Sequence, residues 1–150
     1  MPSTWSQLLL HIVFSTKHRK PLITPEIAEH LYPYIGGIIR ALDGSLYTIG
    51  GMPDHLHLLV RWNTKDSIAN LMKQIKTRSS VWVNETFRET PHFKWQEGYG
   101  VFSVSPSSKD QVEQYILTQA AHHARRDFKA ELVQLLDAHG IDYDAKYLWD

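Results

Sequence analysis

His55 and His57, one residue apart, and Tyr115 and Gln119, four apart, are the residues of this chain whose types and spacing suit chemistry on a phosphodiester. On a strand, residues two apart point to the same face, roughly 6.6 Å along the chain. Two imidazoles so placed can lean onto one ion, and neutral imidazoles suit manganese, zinc, iron or nickel. On a helix, a tyrosine and a glutamine at i and i+4 share a face about 6 Å apart. If that face meets the strand, a divalent metal gains a third ligand beside a phenolic nucleophile. Such a set can cut a phosphodiester and keep one end covalently attached.

Each half of this set also has a structural reading. A His-x-His pair in an apolar strand fits two hydrogen-bonded core histidines, or surface residues beside a site. A tyrosine next to an apolar helical stripe is commonly a packing residue with its hydroxyl at the edge. His122 and His123 extend the same helical segment; a further metal ligand, a DNA contact and a plain surface position are all open to them.

The elements that must position these residues follow from periodicity. Residues 6–16 alternate as a strand, with Leu8, Leu10, Ile12 and Phe14 on one face and Leu9 and Val13 on the other, so the strand is central. Thr24-Pro25-Glu26 is a helix start, and Ile27, Leu31, Ile35, Ile38 and Leu42 continue it at helical spacing. Pro33 predicts a kink. Asp43-Gly44 closes this helix. Residues 45–50 and 55–62 then form a hairpin across a turn at 51–54.

A second helix, capped by Asp66 or Ser67, runs to about Glu85 with Ile68, Leu71, Met72, Ile75, Trp82 and Val83 as its core stripe. A fourth strand falls within 95–105. A last helix begins near Lys109, reaches about Arg125 and has a register that continues to His139, where Gly140 stops it. The order β-α-β-β-α-β is that of a split β-α-β, ferredoxin-like α+β domain. It places an antiparallel sheet with two helices on one face and leaves the other face for a ligand and an additional C-terminal helix carrying Tyr115. A single domain over 1–150, with a tail from about 140, accommodates all of this.

Bulk properties agree. A chain of 150 residues, 43% hydrophobic, can bury about 70% of its unfolded surface. The absence of cysteine excludes disulfides, thiolate zinc sites and cysteine nucleophiles, and is compatible with the cytoplasm. No stretch approaches the ~20 apolar residues of a membrane span. Formal charge is zero, but residues 137–150 hold four aspartates against one lysine, which leaves the first 136 residues at +3. Basic residues cluster at Lys17, Arg19 and Lys20, at Lys73, Lys76 and Arg78, and at Arg125, Arg126 and Lys129. A cluster of this kind is commonly a solvated face.

Longer motifs sharpen the reading. The run Pro53-Asp54-His55-Leu56-His57-Leu58-Leu59-Val60 resembles the histidine-hydrophobe-histidine (HUH) motif of the small single-tyrosine, IS200-like transposases of bacterial insertion sequences. The segment from Tyr115 through Gln119 to His122-His123 resembles their nucleophile helix. The segments Trp95–Ser105 and His139–Trp149 are similar to that family as well, so the resemblance covers nearly the whole chain in one order.

The resemblance implies Tyr115 as nucleophile and His55, His57 and Gln119 as ligands of one Mg²⁺ or Mn²⁺. The implied substrate is single-stranded DNA with hairpin ends, cut through a 5′-phosphotyrosine and rejoined without ATP. It implies a cytoplasmic, nucleoid-associated homodimer in which the tyrosine helix of one subunit can complete its partner's site, the Pro106-Ser107-Ser108 connection permitting such an exchange. The Lys17, Arg19, Lys20 and Lys73, Lys76, Arg78 clusters are the expected phosphate contacts. Three rival functions share the fold: a domesticated nuclease acting on repeat hairpins, a non-catalytic nucleic-acid binding module, and a metal-dependent hydrolase that does not use Tyr115. A binding module would ordinarily alternate aromatic residues on its sheet for base stacking, whereas the informative strand here presents histidines.

Overall fold

The computed structural model describes residues 3–89, 92–123 and 127–148. Strand β1 (Leu8–Ser15) is buried at seven of its eight positions, because other strands flank it and helices cover both of its faces. Helix α1 (Pro25–Ala41) returns the chain to the edge strand β2 (Ser45–Met52), and a two-residue turn at Pro53-Asp54 leads into β3 (His55–Trp62). Helix α2 (Ile68–Thr86) and the far-edge strand β4 (Gly100–Val104) follow. The sheet order is β2-β3-β1-β4 with every neighbour antiparallel, which is the ferredoxin-like α+β arrangement expected from the element order.

One sheet face is dry. Leu10, Ile12 and Phe14 of β1 join Leu56, Leu58 and Val60 of β3 against Ile27, Leu31 and Ile35 of α1 and Leu71 and Ile75 of α2. Both helices begin where their side chains can cap them. Thr24 accepts from the Ile27 amide at 3.2 Å, and Ser67 accepts from that of Asn70 at 3.0 Å. Pro33 lies within α1, which runs as one helix from Pro25 to Ala41; its ring sits on the exposed side, away from the buried stripe. Asp43-Gly44 closes α1 as expected. Asp43, rather than Gly44, takes the left-handed conformation (φ 64°). Gly44 is required by space instead: a Cβ there would lie 2.8 Å from the Trp62 ring and 2.9 Å from Ile39.

The other face is covered by the C-terminal third of the chain, and here the expected single helix is broken. Helix α3 (Lys109–Leu117) stops at Thr118, whose hydroxyl donates back to the Gln114 carbonyl at 2.7 Å. A short helix α4 (Gln119–His123) follows, and α5 (Phe128–Ala138) starts afresh behind its own cap, Asp127, which accepts from the Ala130 amide at 2.9 Å. Tyr115 therefore belongs to α3 and not to the C-terminal helix. Leu117 is 61% exposed at the α3 terminus. Gly140 (φ 65°) ends the helical region as anticipated. Phe128, Leu132 and Leu136 of α5 pack on Val13 and Phe102 of the sheet.

Candidate active site

Alternation along β3 sends Leu56 and Leu58 to the dry face and His55 and His57 to the face beneath α3 and α5. Both imidazoles are fully buried. Gln119, at the start of α4, brings its Oε1 to 3.2 Å from His55 Nε2 while its amide nitrogen donates to the Tyr115 carbonyl at 3.2 Å. The two residues expected on one continuous helix thus remain coupled across the break at Thr118.

The site contains a residue that spacing did not single out. Glu131, on α5, is fully buried among these groups. Its Oε1 lies 2.8 Å from His57 Nε2 and 3.3 Å from His55 Nε2, and its Oε2 accepts a hydrogen bond from the Tyr115 hydroxyl. One carboxylate therefore links both imidazoles to the phenol. Burial alone would raise the Glu131 carboxyl, but hydrogen bonds from His55 and His57, the nearby His57 charge and the Tyr115 bond hold it well below the usual carboxylate range. The sequence carried a signal: Glu131 falls inside the apolar stripe of Phe128, Leu132 and Leu136, where an acidic residue has no packing reason to be.

The opposite nitrogens of the two rings are also engaged. Asp54 Oδ1 accepts from His55 Nδ1 at 2.7 Å, and His11 Nε2 lies 2.8 Å from His57 Nδ1. Burial opposes charge on His55, yet hydrogen bonds to Asp54 and Glu131 outweigh it and push the ring up to about 9. His11 behaves oppositely. Burial, reinforced by His57, pushes it down to about 3 against the pull of Glu131, so this ring is neutral.

With both Nδ1 atoms occupied, the two Nε2 atoms converge on one point. His55, His57 and Glu131 each offer a ligand atom within 4.8 Å of the others, and the Gln119 oxygen adjoins them. Two imidazoles, a carboxylate and an amide oxygen form a donor set that fits Mg²⁺ or Mn²⁺ as well as softer divalent ions. No helix among the described residues is long and apolar enough to cross a membrane.

Access comes from the α3 side. A cleft of about 560 Å³ runs between β4 and α3, bordered by Ser103, Ser105, Gln111 and His139, and the half-buried Tyr115 lines it. Beneath, α3 rests directly on the sheet. A Cβ at Gly50, the register partner of His57, would stand 2.5 Å from the Ile116 carbonyl oxygen.

The basic residues lie outside this cluster. Lys17 to Arg19 form a tight turn directly after β1, with His18 and Arg19 both at φ 56°. The turn is tied to the strand carrying the histidines, since the Thr16 amide donates to the Asp54 carbonyl at 2.9 Å. Lys73 and Arg78 are exposed on α2, across the sheet from the site. Lys76, expected as a phosphate contact, is engaged within the fold. Its ammonium donates to the carbonyls of Gln96, Glu97 and Gly98 at 2.7 to 2.9 Å, and burial lowers it to about 8 against the pull of Glu97. Three acceptors match its three donors, so Lys76 anchors this loop. Arg125, Arg126 and the side chains of His122 and His123 lie outside the described residues.

The sequence and the fold match known transposases. A sequence model of the family described as Transposase IS200 like matches residues 4–119. The ISDra2 transposase TnpA of Deinococcus radiodurans is 26% identical over 121 residues, covering 75% of this chain and 84% of that protein. A crystal structure of a candidate transposase from the same organism superimposes with a TM-score of 0.64 at 25% identity, spanning 77% of this chain and 93% of the other. A REP-associated tyrosine transposase bound to a REP hairpin shares the fold, with a TM-score of 0.57 at 12% identity over 77% of this chain and 68% of the other. The chain belongs to the IS200-like transposase family, and its activity class is DNA transposition.

Proposed function

We propose that this protein cuts and rejoins single-stranded DNA at hairpin-bearing element ends, with Tyr115 as nucleophile and a divalent cation held by His55, His57 and Gln119. The observation that carries this reading is the convergence of the Tyr115 hydroxyl, one buried carboxylate and two imidazole Nε2 atoms on one point. Glu131 joins the ligand set through Oε1. When bound there, Mg²⁺ or Mn²⁺ supplies a Lewis acid that offsets charge gathering on the scissile phosphate.

The remaining steps belong to the chain. Free tyrosine has a pKa near ~10, so its hydroxyl needs a proton acceptor, and Glu131 Oε2 already accepts its hydrogen bond. The phenol oxygen, its proton passing to Glu131, forms a bond to phosphorus; the bond to the 3′ oxygen breaks, that oxygen takes up a proton from solvent, and a 5′-phosphotyrosine and a 3′-hydroxyl result. The linkage conserves bond energy, so a second 3′-hydroxyl can reverse the step and join new ends. Lys17, Arg19 and Lys20, beside the first histidine, and Lys73 and Arg78 on α2 contact the DNA backbone.

Tyr115 reaches the imidazoles of its own chain, which supports a homodimer of two self-sufficient sites over one that exchanges helices. The test incubates the protein with labelled single-stranded element ends and Mg²⁺ and looks for a complex that survives denaturation. Adduct from the wild type and none from Tyr115→Phe is expected; equal cleavage by both would assign the reaction to hydrolysis. Mixing Tyr115→Phe with His57→Ala subunits distinguishes the two assemblies. Self-sufficient sites stay inactive in the mixture, and exchanged helices restore one site per dimer.

A further inference from the structure

His11 is a buried polar residue in the middle of a strand whose other buried side chains, apart from the terminal Ser15, are apolar, and no step described so far uses it. We infer that His11 is a positioning residue of the cation site, setting which nitrogen of His57 is offered to the metal by accepting from the other. The inference rests on the metal-dependent reading above.

The two ligating rings are held differently. A carboxylate only accepts, so Asp54 obliges His55 to carry a proton on Nδ1 and leaves Nε2 to face the site. At His57 Nδ1 the partner is the His11 ring, whose Nε2 lies 2.8 Å away. An imidazole can donate or accept, so this pair has two arrangements. With His11 Nε2 accepting, His57 carries its proton on Nδ1 and offers a lone pair at Nε2. With His11 donating, the His57 proton sits on Nε2, facing the Glu131 carboxylate 2.8 Å away. Only the first arrangement binds a cation. The second satisfies both ring nitrogens of His57 without one.

Charge explains why the partner is an imidazole. The site already buries Glu131, with Asp54 one ring away. A second carboxylate beneath His57 would add negative charge where a phosphate must approach, and an imidazole, which is never anionic here, orients the ligand without that cost. The side-by-side strands fix the contact: His11 sits on β1 opposite Leu59 and is flanked on β4 by Phe102, whose ring centroid is 6.0 Å away.

The test measures Mn²⁺ binding to the full chain by calorimetry, without DNA, for the wild type, His11→Phe and His11→Gln. Loss of a group that hydrogen-bonds a metal-ligating imidazole typically weakens metal binding about 10–100-fold, and His11→Phe is expected in that range. Gln places an amide near the imidazole Nε2 position and should restore affinity to within about threefold of wild type. Long-range ¹H–¹⁵N spectra of the Zn²⁺-loaded protein should show His57 as a single tautomer protonated on Nδ1 in the wild type and His11→Gln. A mixture is expected in His11→Phe.

Wild-type Mn²⁺ affinity in His11→Phe, with a folded circular dichroism spectrum, would overturn the assignment. Should His11→Phe fail to fold, His11→Gln and His11→Asn decide it. An amide that reaches the ε position must outperform one that reaches only the δ position, and equal affinities would refute the inference. A wild-type protein that binds no Mn²⁺ refutes the metal-dependent reading and this inference together. Binding by the wild type with no effect at position 11 removes only the latter.

Discussion

Toward α1 and α2, β3 presents Leu56, Leu58 and Val60; toward α3 and α5 it presents His55, His57 and Leu59. All six are completely withdrawn from solvent. Burial therefore does not separate the stabilising face from the reactive one. What separates them is how much each side chain asks of its surroundings. An aliphatic side chain on the first face needs only close neighbours, and many substitutions preserve that. Each imidazole on the second needs two polar partners in fixed directions, drawn from the β2–β3 turn, β1, α4 and α5. The reactive face is assembled from more of the chain, and an error in any contributor leaves a buried polar group unmatched.

Substitutions on opposite faces should separate chemistry from stability. The largest effect is expected at Tyr115→Phe, which should reduce covalent adduct at least about 10⁴-fold while DNA affinity, measured by gel shift, changes little. His57→Ala should lower cleavage nearly as far, with thermal stability falling less than for a core truncation. Leu58→Ala, one residue away and facing the other side, should cost about 2–5 kcal/mol of folding free energy in denaturant titrations, yet keep its cleavage rate at temperatures where it stays folded. If Leu58→Ala lost activity while folded, the two faces would not be separable.

The smallest effect is the pH dependence of the metal-free protein. His55 is raised to about 9, so its stabilising contribution is complete below the ordinary imidazole value of ~6.5 and disappears as pH climbs to about 9. His11 is lowered to about 3, so its contribution is present above ~6.5 and is lost as pH falls toward about 3. The Tm of the metal-free protein should therefore peak near pH ~6.5 and fall by several degrees toward pH ~9. Saturating Mn²⁺ should abolish the alkaline fall, since metal binding displaces the His55 proton. A flat Tm across this range would show that the His55 contacts do not persist in solution.

The element order, the sheet and the histidine–tyrosine–glutamine set were legible because each rests on local periodicity or a short motif. Thr24 and Ser67 cap their helices as read, and β3 begins at His55 as expected. The helix break was less visible. Residues 109–139 keep a helical register throughout, and the break comes from Thr118 bonding back to Gln114 and from a fresh cap at Asp127. Asp54 adjoins its partner His55 in sequence and was not read as one; Glu131 and His11 were missed for a common reason. Their roles are made by strand pairing and helix docking, which bring together residues up to 74 positions apart, and no spacing rule reaches that far. Lys76 shows the converse: a basic residue in a basic cluster is drawn inward by three carbonyls of a loop about twenty residues away.

Gly50 carries a consequence for how such a protein loses function. Helix α3 lies on β2 where that strand has no side chain, and Ile116, whose carbonyl would meet an added methyl, is the neighbour of Tyr115. Alanine at this position must lift the helix off the strand and carry the phenol away from Glu131 and the imidazoles while leaving all of those side chains intact. Copies of a mobile element can thus fall silent through a change at a position that holds no reactive atom, and Gly50 should tolerate replacement as poorly as the tyrosine itself.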